Sequence, residues 1–288
     1  MILVTGASGN VGKAVVQQLV ARQSPLRIGA RKPDAAPAVA GGERVLFDFM
    51  DATTYAPAVA GCDALFLLRP PQLTDTKATL NRLIDVARAQ GVAQVVFISV
   101  AGAGDNRLVP HHAVEQHLRA GPPNWTILRP GFFAQNLGDA YRTDIVEDNR
   151  IFIPAGQGRV AFVDVRDVGE VAVNAMLDPA PHHGKTYTLT GPQAVTLEEV
   201  VQMLSEILGR PIRYIPATVV NYLRHLTTRR NLPLAQAVVQ TILHVGLRFG
   251  QAEAVDPTLE ELLGHPSHTL RDYIEDHRDL WLLPTADA

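Results

Sequence analysis

Thr5-Gly6-Ala7-Ser8-Gly9-Asn10-Val11-Gly12 stands between an apolar run, Ile2 to Thr5, and a segment in which Val11, Val15, Val16, Leu19 and Val20 recur at helical spacing. Three glycines so spaced, entered from a strand and left through a helix, form a dinucleotide-binding turn. Gly6 makes the tight turn, Gly9 lets the backbone approach a pyrophosphate, and Gly12 lets the helix pack closely. Ser8, Asn10 and Val11 complete the loop, whose helix N-terminus offers free amides to phosphate charge. A Walker-type loop is excluded, because no Gly-Lys-Ser/Thr follows at the right offset.

The same alternation continues outward. Leu26 to Ala30, Val45 to Phe47, Ala64 to Leu68, Val95 to Ile98 and Trp125 to Leu128 read as further strands, and helical segments intervene. Ala78 to Ala89 is the clearest helix, closed by Gly91, and His111 to Arg119 is another. Beyond Pro130-Gly131 the pattern loosens into short strand-like pieces at Phe152 to Pro154, Val160 to Val163, Thr186 to Leu189 and Ile212 to Ile215. Val168 to Leu177 regains helical period, and Thr196 with Glu199 predicts a capping box opening a helix from Leu197 to Leu208. Val219 to Leu226, Leu234 to Leu247 and Leu270 to His277 are the last helical candidates, and Ala35 to Gly42 reads as a surface loop. The fold class is therefore α/β, a Rossmann-type doubly wound parallel sheet with a smaller C-terminal α/β lobe. Residues 1–155 are expected to form the dinucleotide-binding domain. Residues 156–288 mostly form the second lobe, with some segments returning to the first.

Composition narrows the partners. The chain has 288 residues, 26 basic and 29 acidic side chains and a net charge of -3, with no basic block to gather nucleic-acid phosphates. No apolar run reaches the roughly 20 residues that span a bilayer, and no cleavable signal pattern opens the sequence, so a cytoplasmic location is expected, as a monomer or small homo-oligomer. The single cysteine, Cys62, has no internal disulfide partner and reads as a small buried hydrophobe.

The second strand ends Gly29-Ala30-Arg31-Lys32 rather than in the carboxylate that accepts hydrogen bonds from an NAD ribose. A guanidinium beside an ammonium suits a ribose 2'-phosphate, so NADPH is the expected cofactor, and Asp34 close by keeps NADH as the alternative. Ligands of parallel sheets lie outside the carboxyl ends of the strands. That rule places Asp48 and Phe49 near an adenine, and Leu67, Leu68 and Arg69 near the adenosine or ribose.

Four stretches together resemble the NmrA-like branch of the atypical short-chain dehydrogenases/reductases: Thr5 to Gly12, Phe97-Ile98-Ser99-Val100-Ala101-Gly102-Ala103, Trp125-Thr126-Ile127-Leu128-Arg129-Pro130-Gly131 with Phe133 and Asn136, and Phe162-Val163-Asp164-Val165-Arg166-Asp167-Val168. They span the first two thirds of the chain. The resemblance implies a protein that binds NAD(P)H and either reduces quinones, azo dyes or related acceptors or acts as a redox-sensing regulator with a protein partner. Catalytic members of the wider superfamily pair a proton-donating tyrosine with a lysine four residues on and use a serine after the fifth strand. Ser99 matches that serine, but the lysine position falls on His111 and the tyrosine position on Arg107. Arginine is a poor proton donor.

A quinone, azo or similar conjugated acceptor asks less of a protein acid, because its proton can come from water or a histidine. His111 is the candidate catalytic histidine, with an ordinary pKa near 6.5 suited to binding the nicotinamide ribose or protonating a reduced substrate. On a helix, adjacent His112 points elsewhere. No metal site is expected, since no ligand cluster has zinc spacing. Phe132 and Phe133 are expected to stack near the nicotinamide and a flat acceptor, and Asn136 to fix a carbonyl or a backbone turn.

Overall fold

A computed structural model describes residues 1–36, 39 and 41–282. Residues 37, 38 and 40 of the expected surface loop, and 283–288, lie outside the described residues. The chain divides into two units. Unit 1 is Met1–Pro130, Val165–Leu189 and Thr258–Pro266; unit 2 is Gly131–Asp164, Thr190–Pro257 and the described residues from Ser267 on.

Unit 1 is a seven-stranded sheet of β1 (Ile2–Val4), β2 (Leu26–Ala30), β3 (Gly42–Leu46), β4 (Ala64–Leu68), β5 (Gln94–Ile98), β6 (Trp125–Pro130) and the late strand β10 (Lys185–Leu189). Every pairing in it is parallel. β1 lies between β2 and β4, so the chain builds outward to β3 on one side and through β5 and β6 to β10 on the other. That reversal at β1 and β4 is the switch point where parallel sheets hold ligands. Leu3, Val4, Leu65, Phe66, Leu67, Val95, Val96 and Phe97 are all fully buried, which requires helices on both faces. Each such side chain contributes about 1.5–3 kcal/mol relative to exposure.

Two of those helices set the position of the glycine turn. α1 (Asn10–Ala21) buries Val11, Ala14, Val15, Val16 and Leu19, and its strongest helix neighbour is the later helix Val165–Leu177. Gly169 of that helix approaches so near that a Cβ there would lie 2.9 Å from the Ala14 Cβ. The expected helix at Ala78 to Ala89 divides into a π-turn, Lys77–Asn81, and a regular stretch, Arg82–Ala89, and Gly91 ends it at φ +82°.

Unit 2 has its own core. β7 (Phe132–Phe133) and β11 (Ala194–Thr196) flank β9 (Arg159–Val163), the first parallel and the second antiparallel, and β8 (Arg150–Ile151) pairs with β12 (Arg213–Tyr214). The predicted capping box is present: Thr196 Oγ1 accepts from Glu199 N at 3.2 Å, and Glu199 accepts from Thr196 N at 2.6 Å. Trp281 is fully buried in this core and donates to Leu137 O at 3.0 Å. The unit boundary thus falls at Pro130 rather than at residue 155. β7 begins two residues later and pairs with β9, which commits Gly131–Asp164 to unit 2. The returning segments are Val165–Leu189 and the short stretch Thr258–Pro266, where the sequence carried no dinucleotide signal. Among the described residues no helix is long and apolar enough to cross a membrane.

The closest backbone approach in unit 1 supplies a test. A Cβ on Gly12 would lie 2.1 Å from Gly6 O and 2.9 Å from Ala7 Cα. Overpacking against rigid backbone costs at least about 2 kcal/mol, so Gly12→Ala should lower Tm by roughly 4–8 °C in calorimetry. An unchanged Tm would mean that this contact does not set the turn.

Candidate active site

The turn's three glycines do three different things. Gly6 sits at φ +67° with Leu68 packed over it, and Gly9 N donates to Gly6 O at 3.0 Å to close the loop. Gly12 presses on the turn's own backbone rather than on the strand, a correction to the expected helix-to-strand role. At Gly9 the situation is the reverse. A Cβ there meets nothing nearer than Gly6 O at 3.6 Å, and Gly9 caps α1 with no side chain across the amides. The space before the helix is therefore kept clear by the absence of a side chain, which fits a pyrophosphate. Ser8 and Asn10 are exposed beside it, whereas the Val11 side chain is core and can contribute only its amide. Thr5 holds the turn to β4: its hydroxyl donates to Phe66 O at 3.0 Å and accepts from Leu68 N at 3.1 Å. Sequence reasoning passed over Thr5, although a hydroxyl ending a buried strand needs partners.

Arg31 and Lys32 are both exposed after β2. Among the described residues neither side chain has a hydrogen-bonding or ion-pair partner, while neighbouring Arg27 is bound to Glu43 at 2.9 Å and Arg44 to the carbonyls of Asp34 and Ala36. They are thus the cations of this edge that remain available to a polyanion. Asp48 is half-buried and spends one oxygen on Met50 N at 2.9 Å. The expected adenine contact from the Phe49 ring is corrected: that ring is buried edge-on against Phe47, with centroids 4.8 Å apart. Leu67 is likewise wholly core, whereas Leu68 is part-exposed at the strand end.

Arg69 and His111 form an unanticipated unit. The Arg69 Nη1 donates to Pro70 O and Pro71 O, both at 3.2 Å, and to Leu73 O, which folds the loop after β4 around the guanidinium. Its Nε then donates to His111 Nε2 at 3.3 Å. An acceptor Nε2 requires the proton of the neutral ring to be on Nδ1, and that atom is buried without a partner. Burial, reinforced by the Arg69 charge, brings the His111 pKa down to about 4, against the smaller opposing effect of Glu115. The expectation of a histidine acid near 6.5 is therefore corrected: at neutral pH the ring is an uncharged Nδ1–H donor. His112 points elsewhere, with Nδ1 on Ala103 O at 2.9 Å.

Ser99 is also reassigned. It is buried, and its hydroxyl donates to Glu115 Oε1 at 2.6 Å. Glu115 has no solvent exposure and takes a second donor, Arg129 Nε, on the same oxygen at 3.0 Å, while Arg129 Nη2 bonds Oε2. Burial alone raises this carboxyl, but the Arg129 and Ser99 hydrogen bonds outweigh it and hold the pKa below the usual range. Ser99 thus helps to anchor the loop after β5, with its proton committed to Glu115. Arg107 is exposed in that loop and, with Gly104, Asp105, His112 and Gln116, lines an open recess of about 530 Å³.

Phe132, Phe133 and Asn136 belong to unit 2. Phe132 is half-buried, edge-on to Phe162 at 5.6 Å and to His244 at 5.9 Å. Phe133 pairs with Val163 in the strand ladder. Asn136 ends a 3-10 turn, and its main-chain carbonyl accepts from Tyr141 N at 3.0 Å. Among the described residues no three His, Cys, Asp or Glu side chains could hold a metal ion.

The clear space at Gly9, the unpaired Arg31 and Lys32 and the unpartnered His111 donor all suit a nicotinamide dinucleotide, and comparison with known proteins agrees. The NAD(P)H-binding family model matches residues 6–179. The chain belongs to the NAD(P)H-binding, NmrA-like family of quinone and azo reductases. It is 30% identical over 287 residues to an NAD(P)H azoreductase of Xenophilus azovorans, covering 96% of this chain and 98% of that one. It is 33% identical over 285 residues to a (4-alkanoyl-5-oxo-2,5-dihydrofuran-3-yl)methyl phosphate reductase of Streptomyces griseus, covering 97% and 98%. An NADPH-dependent quinone oxidoreductase of Escherichia coli, solved with NADPH, superposes with a TM-score of 0.85 at 26% identity over 96% of this chain and 99% of that one. This family member is an NAD(P)H-dependent oxidoreductase.

Two outcomes follow from the geometry. Gly9→Val should keep the wild-type circular dichroism and Tm within about 1 kcal/mol of stability, because its side chain enters open space, yet lose NADPH binding in calorimetric titration. Retained affinity would place the cofactor elsewhere. His111 should titrate near pH 4 in a proton NMR titration, and a midpoint near 6.5 would mean that the ring is not held by burial and Arg69.

Proposed function

We propose that the protein passes hydride from NADPH to a quinone or a similar flat conjugated acceptor without a protein acid. The observation that carries this reading is His111, a buried neutral ring whose only unpartnered nitrogen is a donor. Such a group can hydrogen-bond to a nicotinamide ribose or an acceptor oxygen, but it is no general acid at neutral pH. Exposed Arg107 at the superfamily's tyrosine position offers no phenolic proton in its place. A ketone needs a proton as its carbon is reduced. A quinone oxygen, once reduced, takes one from water.

Bound at the glycine turn, NADPH supplies the hydride. The chain's own residues bind and orient it. Backbone amides of the glycine turn other than that of Gly9, which donates to Gly6 O, receive the pyrophosphate, with the Ser8 and Asn10 side chains beside them. Arg31, helped by Lys32, takes the 2'-phosphate, and NADH is the weaker alternative because it lacks that group. The free oxygen of Asp48 faces the adenosine, and Leu68 and the Arg69 backbone line the ribose. The reductase activity of the azo and quinone relatives supports this acceptor class. The competing reading is a non-catalytic NADP(H) sensor acting through a protein partner.

Arg31→Ala should weaken NADPH by about 1.5–3 kcal/mol, some 10- to 150-fold, and leave NADH almost unchanged. Calorimetric titration of both cofactors measures this, and an unaltered NADPH/NADH ratio would remove the 2'-phosphate assignment. Purified protein mixed with NADPH and a panel of quinones, azo dyes, flavins and simple ketones should show nicotinamide oxidation with the quinones or azo dyes. Tight NADPH binding with no acceptor-dependent oxidation would favour the sensor, and rapid ketone reduction would overturn the absence of an acid.

A further inference from the structure

The helix Leu234–Leu247, α9 by its place in the chain, is turned inside out. Its sequence, LAQAVVQTILHVGL, carries no Asp, Glu, Lys or Arg. Three of its four polar side chains, Gln240, Thr241 and His244, are turned inward, while Gln236 is exposed. Thr241 Oγ1 donates to Ala237 O at 2.7 Å, Gln240 Nε2 donates to Tyr222 Oη at 3.2 Å, and buried His244 bonds both Gln240 O and the Tyr141 hydroxyl. The opposite side is aliphatic: Leu234, Val238, Val239, Ile242 and Leu243 are 39–64% exposed. These positions, spaced i, i+4, i+5, i+8 and i+9, share one half of the helix surface. A helix on the surface of a monomer normally shows water the other face.

The apolar surface extends past the helix. Phe249 just beyond it is 75% exposed, and Val220 of the helix Val219–Arg224, which packs against Leu234–Leu247, is 74% exposed. The seven side chains leave on the order of 800 Å² at water, the amount each partner contributes to a standard interface and more than the largest patch of a typical monomer.

We propose that this face is covered by a second copy of the chain, the two Leu234–Leu247 helices packing on one another across a two-fold axis. A charge-free aliphatic stripe is complementary to itself, which is what an isologous contact requires. The charges nearest the stripe lie outside it. Arg248 follows the helix, and Arg230 before it is bound to Asp144 at 3.4 Å. The proposal goes beyond the reductase activity and does not depend on it.

The test is the mass of the 288-residue chain in solution, by sedimentation velocity and light scattering at tens of micromolar. The expected mass is twice the 31.2 kDa of the chain. Ile242→Glu, which puts a charge at the centre of the stripe, should weaken association by at least about 30-fold with unchanged circular dichroism. Should that variant misfold, Val239→Cys gives an independent reading. The only native thiol, Cys62, is buried, so mild oxidation should produce disulfide-linked dimers through position 239. Leu46→Cys, exposed in unit 1, should give none. A wild-type protein at the single-chain mass, a dimer that Ile242→Glu leaves intact, or cross-linking equal at positions 239 and 46 would overturn the proposal. So would a monomer that cosediments with phosphatidylglycerol vesicles through this face.

Discussion

The contact between Gly12 and the carbonyl of Gly6 is the constraint on which the rest of unit 1 depends. With 2.1 Å between that oxygen and the place of an absent Cβ, the helix can begin only because position 12 has no side chain. The tight start brings the amides of α1 to the end of β1, at the point where the sheet reverses its order. Thr5 carries the constraint sideways by binding the backbone of β4 on both sides of Leu67. β4 in turn delivers Arg69, and Arg69 delivers His111. One backbone approach, one hydroxyl and one guanidinium thus link the glycine turn to His111.

Burial decides what the side chains around His111 and Glu115 can do. The carboxyl of Glu115 stays charged without solvent because Arg129 and Ser99 bind it, and the price is that the Ser99 proton is taken. His111 has no such compensation. A buried cation beside Arg69 is the less favourable state, so the ring stays neutral and fixes its remaining proton on Nδ1. Two residues that resemble a catalytic serine and a lysine substitute therefore become an anchor and a neutral donor. Chemistry that draws its proton from water is consistent with both.

The glycine turn, the strand-helix alternation and the Thr196–Glu199 capping box were legible because each rests on local geometry with few solutions. The succession of the first six strands along the chain followed from the same patterns. Less local features were hidden. Phe49 was placed beside adenine by its position after a strand, but the sequence does not reveal that Phe47 and Phe49 meet edge-on within the core. Thr258–Pro266 returns to unit 1 with no motif to announce it. The pairing of Arg69 with His111 spans 42 positions, and only the parallel sheet brings β4 and the helix after β5 together. His111 was identified from a motif position, while its protonation state depended on burial, which no motif encodes.

The most direct test of hydride transfer without a protein acid is an anaerobic stopped-flow record of nicotinamide absorbance. NADPH and its 4-deuterated form would be compared against one reducible quinone across a pH series. Direct transfer with His111 neutral predicts that deuterium slows the decay. It also predicts that the rate stays flat from about pH 5.5 to 8, since the ring titrates near 4. An isotope-insensitive decay, or a rate that falls away above a midpoint near 6.5, would contradict it.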